Sequence, residues 1–204
     1  MSNTNLELLT ARAEAGDPLA QFELGQRHDT GNGAPQDFVR ARELYQQAAE
    51  HNIPGAMYNL GVLYDHGRGV EQDYQQAMHW YQRAAQMGDP WAQNNIGFLY
   101  SHGHGVEQDA EAAMTWYRQA AEGGHFGARF NLGVRYTHGE HVEQDYSVAH
   151  MWFSIAQTNC GPVEWERASK VKTALEEAMS SDEKQRAQQL FDGWEADQNN
   201  PAAN

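Results

Sequence analysis

Cysteine is almost absent from this chain of 204 residues, since Cys160 is the single one. No disulfide can therefore form within the chain, which fits a reducing cytoplasm without excluding the periplasm. No run approaches the roughly 18 apolar residues that a membrane span needs, and the start, MSNTNLELLTARAEAGD, lacks the basic and apolar segments of a secretory signal. We expect a cytoplasmic protein, or a periplasmic or secreted one if a signal peptide has been removed.

Basic residues are also scarce. The chain has 14 Lys and Arg against 28 Asp and Glu, a formal net charge of -14. Such a surface repels phosphate backbones and anionic lipid head groups, so we expect neither nucleic acid nor a membrane as partner. A basic protein or an uncharged apolar ligand is easier to accommodate. Hydrophobic residues make up 40% of the chain, enough to bury a core, which argues against wholesale disorder.

A motif that recurs at constant spacing is the strongest signal in the sequence. Four alanines lie 36 residues apart, and a glycine follows each of them five positions later: Ala20, Ala56, Ala92 and Ala128; Gly25, Gly61, Gly97 and Gly133. The second half of each copy opens on an aspartate and contains LYQQAA, WYQRAA, WYRQAA or WFSIAQ. The chain is therefore built from four copies of one structural unit.

Each copy has the pattern of two helices. Ala56, Leu60, Leu63 and Tyr64 recur at the spacing of an amphipathic helix, and a second helix begins at the N-cap residue Asp73. A glycine inside the first helix costs about 1 kcal/mol, so Gly61 is expected to let a neighbouring helix approach closely. One helix pair cannot bury its apolar face alone, so the pairs should stack. We predict an all-α solenoid with about ten helices and no strand.

The repeated pattern A-x-x-x-L-G-x-x-Y-x-x-G-x-G-V-x-x-D, followed by A-x-x-W-Y-x-x-A-A, resembles the Sel-1-like repeat (SLR) family over residues 20–158. This family is related to tetratricopeptide repeats. The resemblance implies an α/α solenoid, a right-handed superhelix, that acts as an adaptor or scaffold in protein complexes. The cysteine-rich subgroup is not implied, because its cysteines are missing here.

The repeat register divides the chain into segments. They are an N-terminal capping helix at 1–19, repeats at 20–55, 56–91, 92–127 and 128–162, C-terminal capping helices at 163–196, and a polar tail at 197–204 that we expect to be disordered.

The loops, such as SHGHGVEQD at 101–109, have the composition of a metal or phosphate site. Equivalent histidines of stacked helices lie at least about 8–10 Å apart, too far to share an ion. Only the pairs His102–His104 and His138–His141 could share one, with Glu140 as the nearest further ligand. A phosphate loop would need a preceding strand. We favour a structural role, in which a glycine ends the first helix, a second residue takes positive φ, and the aspartate caps the next helix.

No catalytic constellation is evident. There is no G-x-S-x-G motif, and Cys160 lies in a TNCGP turn without a dedicated histidine. We therefore expect a protein that is not an enzyme and that holds neither a cofactor nor a metal.

A polar stripe along the first helices is the candidate binding surface, because the first helices of tetratricopeptide-type solenoids line the concave face. Its members are Asn59, Leu63, His66, Asn95, Phe98, Leu99, His102, Asn131, Arg135 and His138. An asparagine amide can clasp a peptide backbone. Alternatively, these asparagines bond to the neighbouring repeat and hold the stack.

Three functions remain open. The favoured one is an interaction module that binds another protein or peptide, and a basic partner suits the charge. The second is an immunity or inhibitor protein that neutralises a bacterial toxin or secreted effector. An enzyme is the least favoured. The oligomeric state is left open by the sequence.

Overall fold

Every regular element among residues 2–198, the part of the chain that this computed structural model describes, is an α-helix. Side chains are described from residue 6 onward. The helices are α1 (Ser2–Glu14), α2 (Pro18–Thr30), α3 (Phe38–Glu50), α4 (Pro54–His66), α5 (Tyr74–Ala85), α6 (Pro90–His102), α7 (Ala110–Glu122), α8 (Phe126–His138), α9 (Tyr146–Ala156), α10 (Pro162–Ala178) and α11 (Ser181–Gln198). The helical class is confirmed, with eleven helices in this range where the sequence predicts about ten.

The first helix of each copy ends at a left-handed glycine. Gly31, Gly67, Gly103 and Gly139 follow α2, α4, α6 and α8 with φ between 65° and 72°. The N–H of Gly103 returns to the carbonyl of Leu99 and so satisfies a carbonyl at the helix end. The predicted second residue with positive φ is confirmed too. His141 takes φ of 60° at the position that Gly69 and Gly105 occupy in earlier copies.

The last residues of each loop hold the loop closed. The predicted aspartate caps are confirmed: Asp73 accepts from the N–H groups of Gln75 and Gln76. The preceding glutamine has a role that the sequence did not reveal. Gln72 donates from Nε2 to the carbonyl of Asp65 over 2.6 Å, and Gln108 donates to that of Ser101 over 2.8 Å. The glutamine thereby satisfies a backbone carbonyl that lies seven residues earlier, in the last turn of the preceding helix.

The chain forms two compact units. The first unit ends at Ala113, and the second begins at Met114. In the first unit α2 packs against α1 and α3, while α4 packs against α3, α5 and α6. In the second unit α9 packs against α8, α10 and α11. The expected terminal helices are present as α1, α10 and α11. A capping box precedes α11, in which Ser180 and Glu183 bond reciprocally.

The predicted disordered tail at 197–204 is wrong for its first two residues. Helix α11 extends to Gln198, so residues 197 and 198 are helical. Residues 199–204 lie outside the described part of the chain.

A glycine in the first helix receives the aromatic ring of the second. A Cβ atom built on Gly61 would lie 2.5 Å from Cδ1 of Tyr81, and one on Gly133 would lie 2.7 Å from Cε1 of Phe153. Tyr81 and Phe153 are fully buried. The close approach that the sequence predicts at Gly61 is therefore confirmed, since any side chain there would displace a core ring.

Two buried polar side chains distinguish the second unit. Arg129 donates from Nε to the carbonyl of Ala121 over 2.8 Å and from Nη1 to that of Ile155 over 3.2 Å, linking the ends of α7 and α9 to α8. Burial lowers the pKa of Arg129. At the start of α8, Nδ1 of His125 accepts from the N–H of Ala128 over 3.0 Å, and burial lowers the pKa of His125 to about 4.

Gly61→Ala should destabilise the protein by about 1–3 kcal/mol, because the added methyl meets the Tyr81 ring. Gly193→Ala is the matched control, since Gly193 lies within α11 and a Cβ there meets nothing within 4 Å. The control should gain about 0.5–1 kcal/mol from helix propensity. Urea unfolding followed by circular dichroism measures both. Equal effects of the two substitutions would show that the ring contact is unimportant.

His125 should make stability depend on pH between about 6.5 and 4. In this window the unfolded chain protonates His125, whereas the folded chain, with a pKa of about 4, does not. Stability therefore falls as the pH falls, by at most about 3 kcal/mol from this group. His125→Asn keeps a capping acceptor that does not titrate. Urea midpoints of the two proteins should converge as the pH is lowered from 7 to 4.5, and a gap that stays constant would contradict the assignment.

Candidate binding surface

The outward faces of α2, α4 and α6 form one surface in the first unit. Helices α4 and α6 pack together, and the Phe22 ring of α2 lies so close to α4 that a Cβ on Gly55 would meet its Cζ at 2.7 Å. We call this surface the α2–α4–α6 face. It consists of Leu19, Phe22, Glu23, Gln26, Tyr58, Asn59, Val62, His66, Trp91, Asn95, Phe98 and His102, all of them at least partly exposed.

The predicted stripe is wrong at two positions on this face. Leu63 and Leu99 are fully buried, so neither can contact a partner. The residue one place earlier is accessible instead, since Phe98 is 40% exposed and Val62 is half-buried. Counted from each asparagine, a step of four residues turns the helix about 40° beyond a full circle, which brings the side chain towards the core. A step of three residues stops about 60° short of a full circle, which leaves the side chain accessible. The accessible stripe therefore follows a spacing of three and seven residues from each asparagine.

Asn59 and Asn95 lie beside the hydroxyls of tyrosines on the neighbouring helices. The amide of Asn59 interacts with the hydroxyl of Tyr45, and that of Asn95 with the hydroxyls of Tyr58 and Tyr81. Asn95 on α6 thus contacts both helices of the preceding copy. This geometry favours the interpretation that the asparagines hold the stack over the one that they clasp a peptide.

The same tyrosines donate to aspartates at the ends of the first helices. The Tyr45 hydroxyl lies 3.2 Å from Oδ2 of Asp29, and the Tyr81 hydroxyl lies 3.1 Å from Oδ2 of Asp65. Burial, and then the charge of the aspartate, raises the pKa of Tyr45 and of Tyr81 well above the usual range. Both phenols therefore stay protonated and act as donors at any physiological pH.

The histidines of the stripe act as local caps. Nδ1 of His66 lies 3.1 Å from the carbonyl of Val62, and Nδ1 of His102 lies 3.0 Å from that of Phe98. His138 repeats the contact with Val134 at 2.9 Å. A carbonyl only accepts, so Nδ1 carries the proton and gives a carbonyl in the last turn of the helix a further donor. The rest of each imidazole remains exposed.

The two histidines of the SHGHGVEQD loop pack against aromatic side chains. The His102 ring lies 4.1 Å from that of Phe98, and the His104 ring lies 4.6 Å from that of Tyr74, centroid to centroid. Among the residues that the structure describes, no group of three or more His, Cys, Asp or Glu side chains is arranged to hold a metal ion. The loop thus joins aromatic side chains of α5 and α6.

The second unit carries the remaining predicted residues on α8. Asn131 and His138 are exposed, and the guanidinium of Arg135 lies 5.0 Å from the centre of the Tyr117 ring. Arg135 occupies the repeat position of Leu63 and Leu99, but its charged head remains partly accessible.

No helix between residues 2 and 198 is both long enough and apolar enough to cross a bilayer.

A family comparison identifies the repeat. The model of the Sel1 repeat matches residues 18–53, 54–89, 92–125 and 127–156. This chain belongs to the Sel1 repeat family. Members of this family generally act as protein-interaction modules rather than as catalysts. The resemblance inferred from the sequence is confirmed.

Solved structures of Sel1 repeat proteins share the fold. A Sel1 repeat protein from Oxalobacter formigenes is 32% identical with a TM-score of 0.77, over 94% of this chain and 78% of that protein. A protective antigen of uropathogenic Escherichia coli with an SLR fold is 40% identical with a TM-score of 0.71, over 79% of this chain and 35% of the antigen. The all-helical SLR solenoid class is therefore confirmed.

Two further relatives show how far the similarity extends. The secretory immunoglobulin A-binding protein EsiB of Escherichia coli O6:H1 is 42% identical over 48 residues, which is 24% of this chain and 10% of EsiB. The chain thus spans about a tenth of EsiB and about a third of the antigen. The immunity protein Pa5087 of Pseudomonas aeruginosa is 22% identical with a TM-score of 0.56, over 85% of this chain and 73% of that protein, and shares the fold.

Asn95→Ala should lower the free energy of unfolding by about 1–3 kcal/mol, because the hydroxyls of the buried Tyr81 and the half-buried Tyr58 lose the amide beside them. Asn131→Ala is the matched control at the equivalent position of α8, where the asparagine is exposed. The control should change stability by no more than about 0.5 kcal/mol. Thermal unfolding measures the difference. If both variants kept wild-type stability, Asn95 would not hold the stack.

Proposed function

We propose that this protein is a non-catalytic interaction module that binds one protein partner through the α2–α4–α6 face. The observation that carries the proposal is the exposure of two large aromatic side chains on one side of α6. Trp91 is 57% exposed and Phe98 is 40% exposed. They lie seven residues apart, about 10 Å along the helix. Aromatic residues, tryptophan above all, are enriched among the side chains that contribute most of the binding energy at protein interfaces.

The surroundings of these two side chains support binding. The asparagine and tyrosine contacts beneath the face connect α3, α4, α5 and α6, so the surface is held in one shape before a partner arrives. A preorganised surface loses little conformational entropy on binding. Leu19 adds a third exposed apolar side chain at the α2 edge of the face, at 63% exposure. The face therefore combines apolar anchors with a rigid polar floor.

A dedicated inhibitor, such as an immunity protein that neutralises a basic toxin or secreted effector, is the second candidate function. The observation that favours it is charge: residues 1–113 contain fifteen acidic residues, six arginines and no lysine. Such a field accelerates association with a positively charged protein. Both candidate functions use the same face. They differ in the partner, which is toxic in its unbound state only if the protein is an inhibitor.

The proposal is tested by capture of the partner with matched variants. Trp91→Ala and Phe98→Ala should each weaken binding of the captured partner at least tenfold, the loss expected at an aromatic anchor. Val39→Ala is the control, because Val39 is 48% exposed but lies on α3, outside the face. The tagged full chain is incubated with native lysate, the bound protein is identified by mass spectrometry, and affinities are measured with purified partner.

Two outcomes separate the possibilities. If Trp91→Ala and Phe98→Ala bound the partner as Val39→Ala does, the α2–α4–α6 face would not be the binding site. If the purified partner were toxic to cells and became harmless when bound, the inhibitor function would replace the adaptor function. Circular dichroism of each variant shows whether the fold is intact.

A further inference from the structure

Two carboxylates lie close to Tyr58 of the α2–α4–α6 face. Asp65, near the end of α4, accepts the Tyr81 hydroxyl, and Asp89 accepts the N–H of Ala92 over 2.9 Å at the start of α6. Both carboxylates are half-buried. No Lys, Arg or His among residues 6–198 lies within the 4.0 Å of an ion pair from either one. Neither carboxylate therefore has a direct ion-pair partner in this range, and both bring negative charge close to the face.

Tyr58 reports this negative field. Burial raises the pKa of Tyr58, and the charges of Asp89 and Asp65 raise it further. The Tyr58 ring lies 5.9 Å from the Tyr81 ring, and Asn95 interacts with both hydroxyls. Two carboxylates, two phenols and one amide are thus gathered between α4, α5 and α6.

Exposed aromatic side chains flank this polar cluster. On α6, Trp91 precedes Asn95 by four residues and Phe98 follows it by three, so all three lie on one side of the helix. Trp91 and Phe98 keep about half of their surface accessible. A tryptophan face attracts a cation through its quadrupole, and a guanidinium stacks on it while donating to nearby oxygens.

We propose that this part of the face, between Trp91, Asn95 and Phe98 of α6 and Tyr58 and Asp65 of α4, binds an arginine side chain of the partner, with an apolar partner residue beside it. The inference rests on the proposed function and names the chemistry that this site selects. Arginine fits better than lysine because its planar fork stacks on an indole and donates in several directions at once.

Charge decides against other occupants. An acidic segment or a nucleic acid would meet two carboxylates that have no ion-pair partner among residues 6–198. A second copy of this chain carries the same net charge of -14, which opposes its approach to this site.

A peptide titration tests the inference directly. The uniformly ¹⁵N-labelled full chain is titrated with acetyl-Leu-Arg-Leu-amide and, as control, with the same peptide carrying citrulline, which has the shape of arginine without its charge. We expect the arginine peptide to shift the indole N–H signal of Trp91 and the side-chain amide signals of Asn95. The citrulline peptide should bind at least about fivefold more weakly, since it lacks the charge-dependent contacts.

The carboxylates are tested by isosteric neutralisation. Asp65→Asn with Asp89→Asn keeps an acceptor for Tyr81 and a good N-cap, while removing both charges. This double variant should bind the arginine peptide about fivefold more weakly or worse. Glu71→Gln with Glu107→Gln is the matched control, because it removes two exposed charges from loops of the same unit. The control should bind the peptide like the wild type.

Each remaining outcome bears on the inference. Equal binding of the two peptides, or equal loss in the two double variants, would overturn it. Signals of Trp91 and Asn95 that broaden with protein concentration alone would show that a second copy occupies the face, which also overturns it. If the arginine peptide failed while Trp91→Ala still lost the native partner, the inference would fall and the proposed function would stand. Retention of the partner by Trp91→Ala would overturn the proposed function.

Discussion

The contact between a glycine backbone and an aromatic ring is the interaction on which the first unit depends. Because Gly61 has no side chain, the Tyr81 ring can lie flat against α4 and become fully buried. Its hydroxyl is then fixed within reach of Asp65 and of Asn95 on the following helix. One close approach thus sets the packing within a copy and the polar contact to the next one. This packing also bears on the exposed face, because Asn95 lies between the exposed residues Trp91 and Phe98 on α6.

The loops between paired helices contribute geometry rather than chemistry. In SHGHGVEQD, Gly103 ends α6 in the left-handed region, Gln108 donates to a carbonyl of that helix, and Asp109 caps α7. His102 caps a carbonyl and stacks on Phe98, while His104 stacks on Tyr74 of α5. A motif with the composition of a metal site therefore consists of a helix end, a turn and a helix start. The repetition of this loop keeps successive copies in register.

Departures from the repeat pattern mark where the copies differ in behaviour. In the last copy Phe153 replaces the tyrosine ring, so the hydroxyl is missing at that position. Arg129 donates to the end of α7, as Gln21 donates to the end of α1 in copy one. His125 stands where Asp17 and Asp89 cap other first helices. These substitutions exchange a carboxylate cap for an imidazole and place a cation in the core. Stability in the two units therefore rests on different polar groups although the fold is the same.

Much of the fold could be predicted from sequence alone, because its signals are local: helix pairs from apolar spacing, helix ends from Gly67 and Gly103, caps from the aspartates, and the close approach at Gly61. The family could be inferred from the same residues. The site could be predicted only to the correct helices. Periodicity cannot show that Leu63 and Leu99 turn inwards while Val62 and Phe98 stay accessible, since that choice depends on how each helix is rotated against its neighbours. Nor can it show that Asn95 lies beside the hydroxyls of Tyr58 and Tyr81, because those residues are distant in the chain and only packing brings them together.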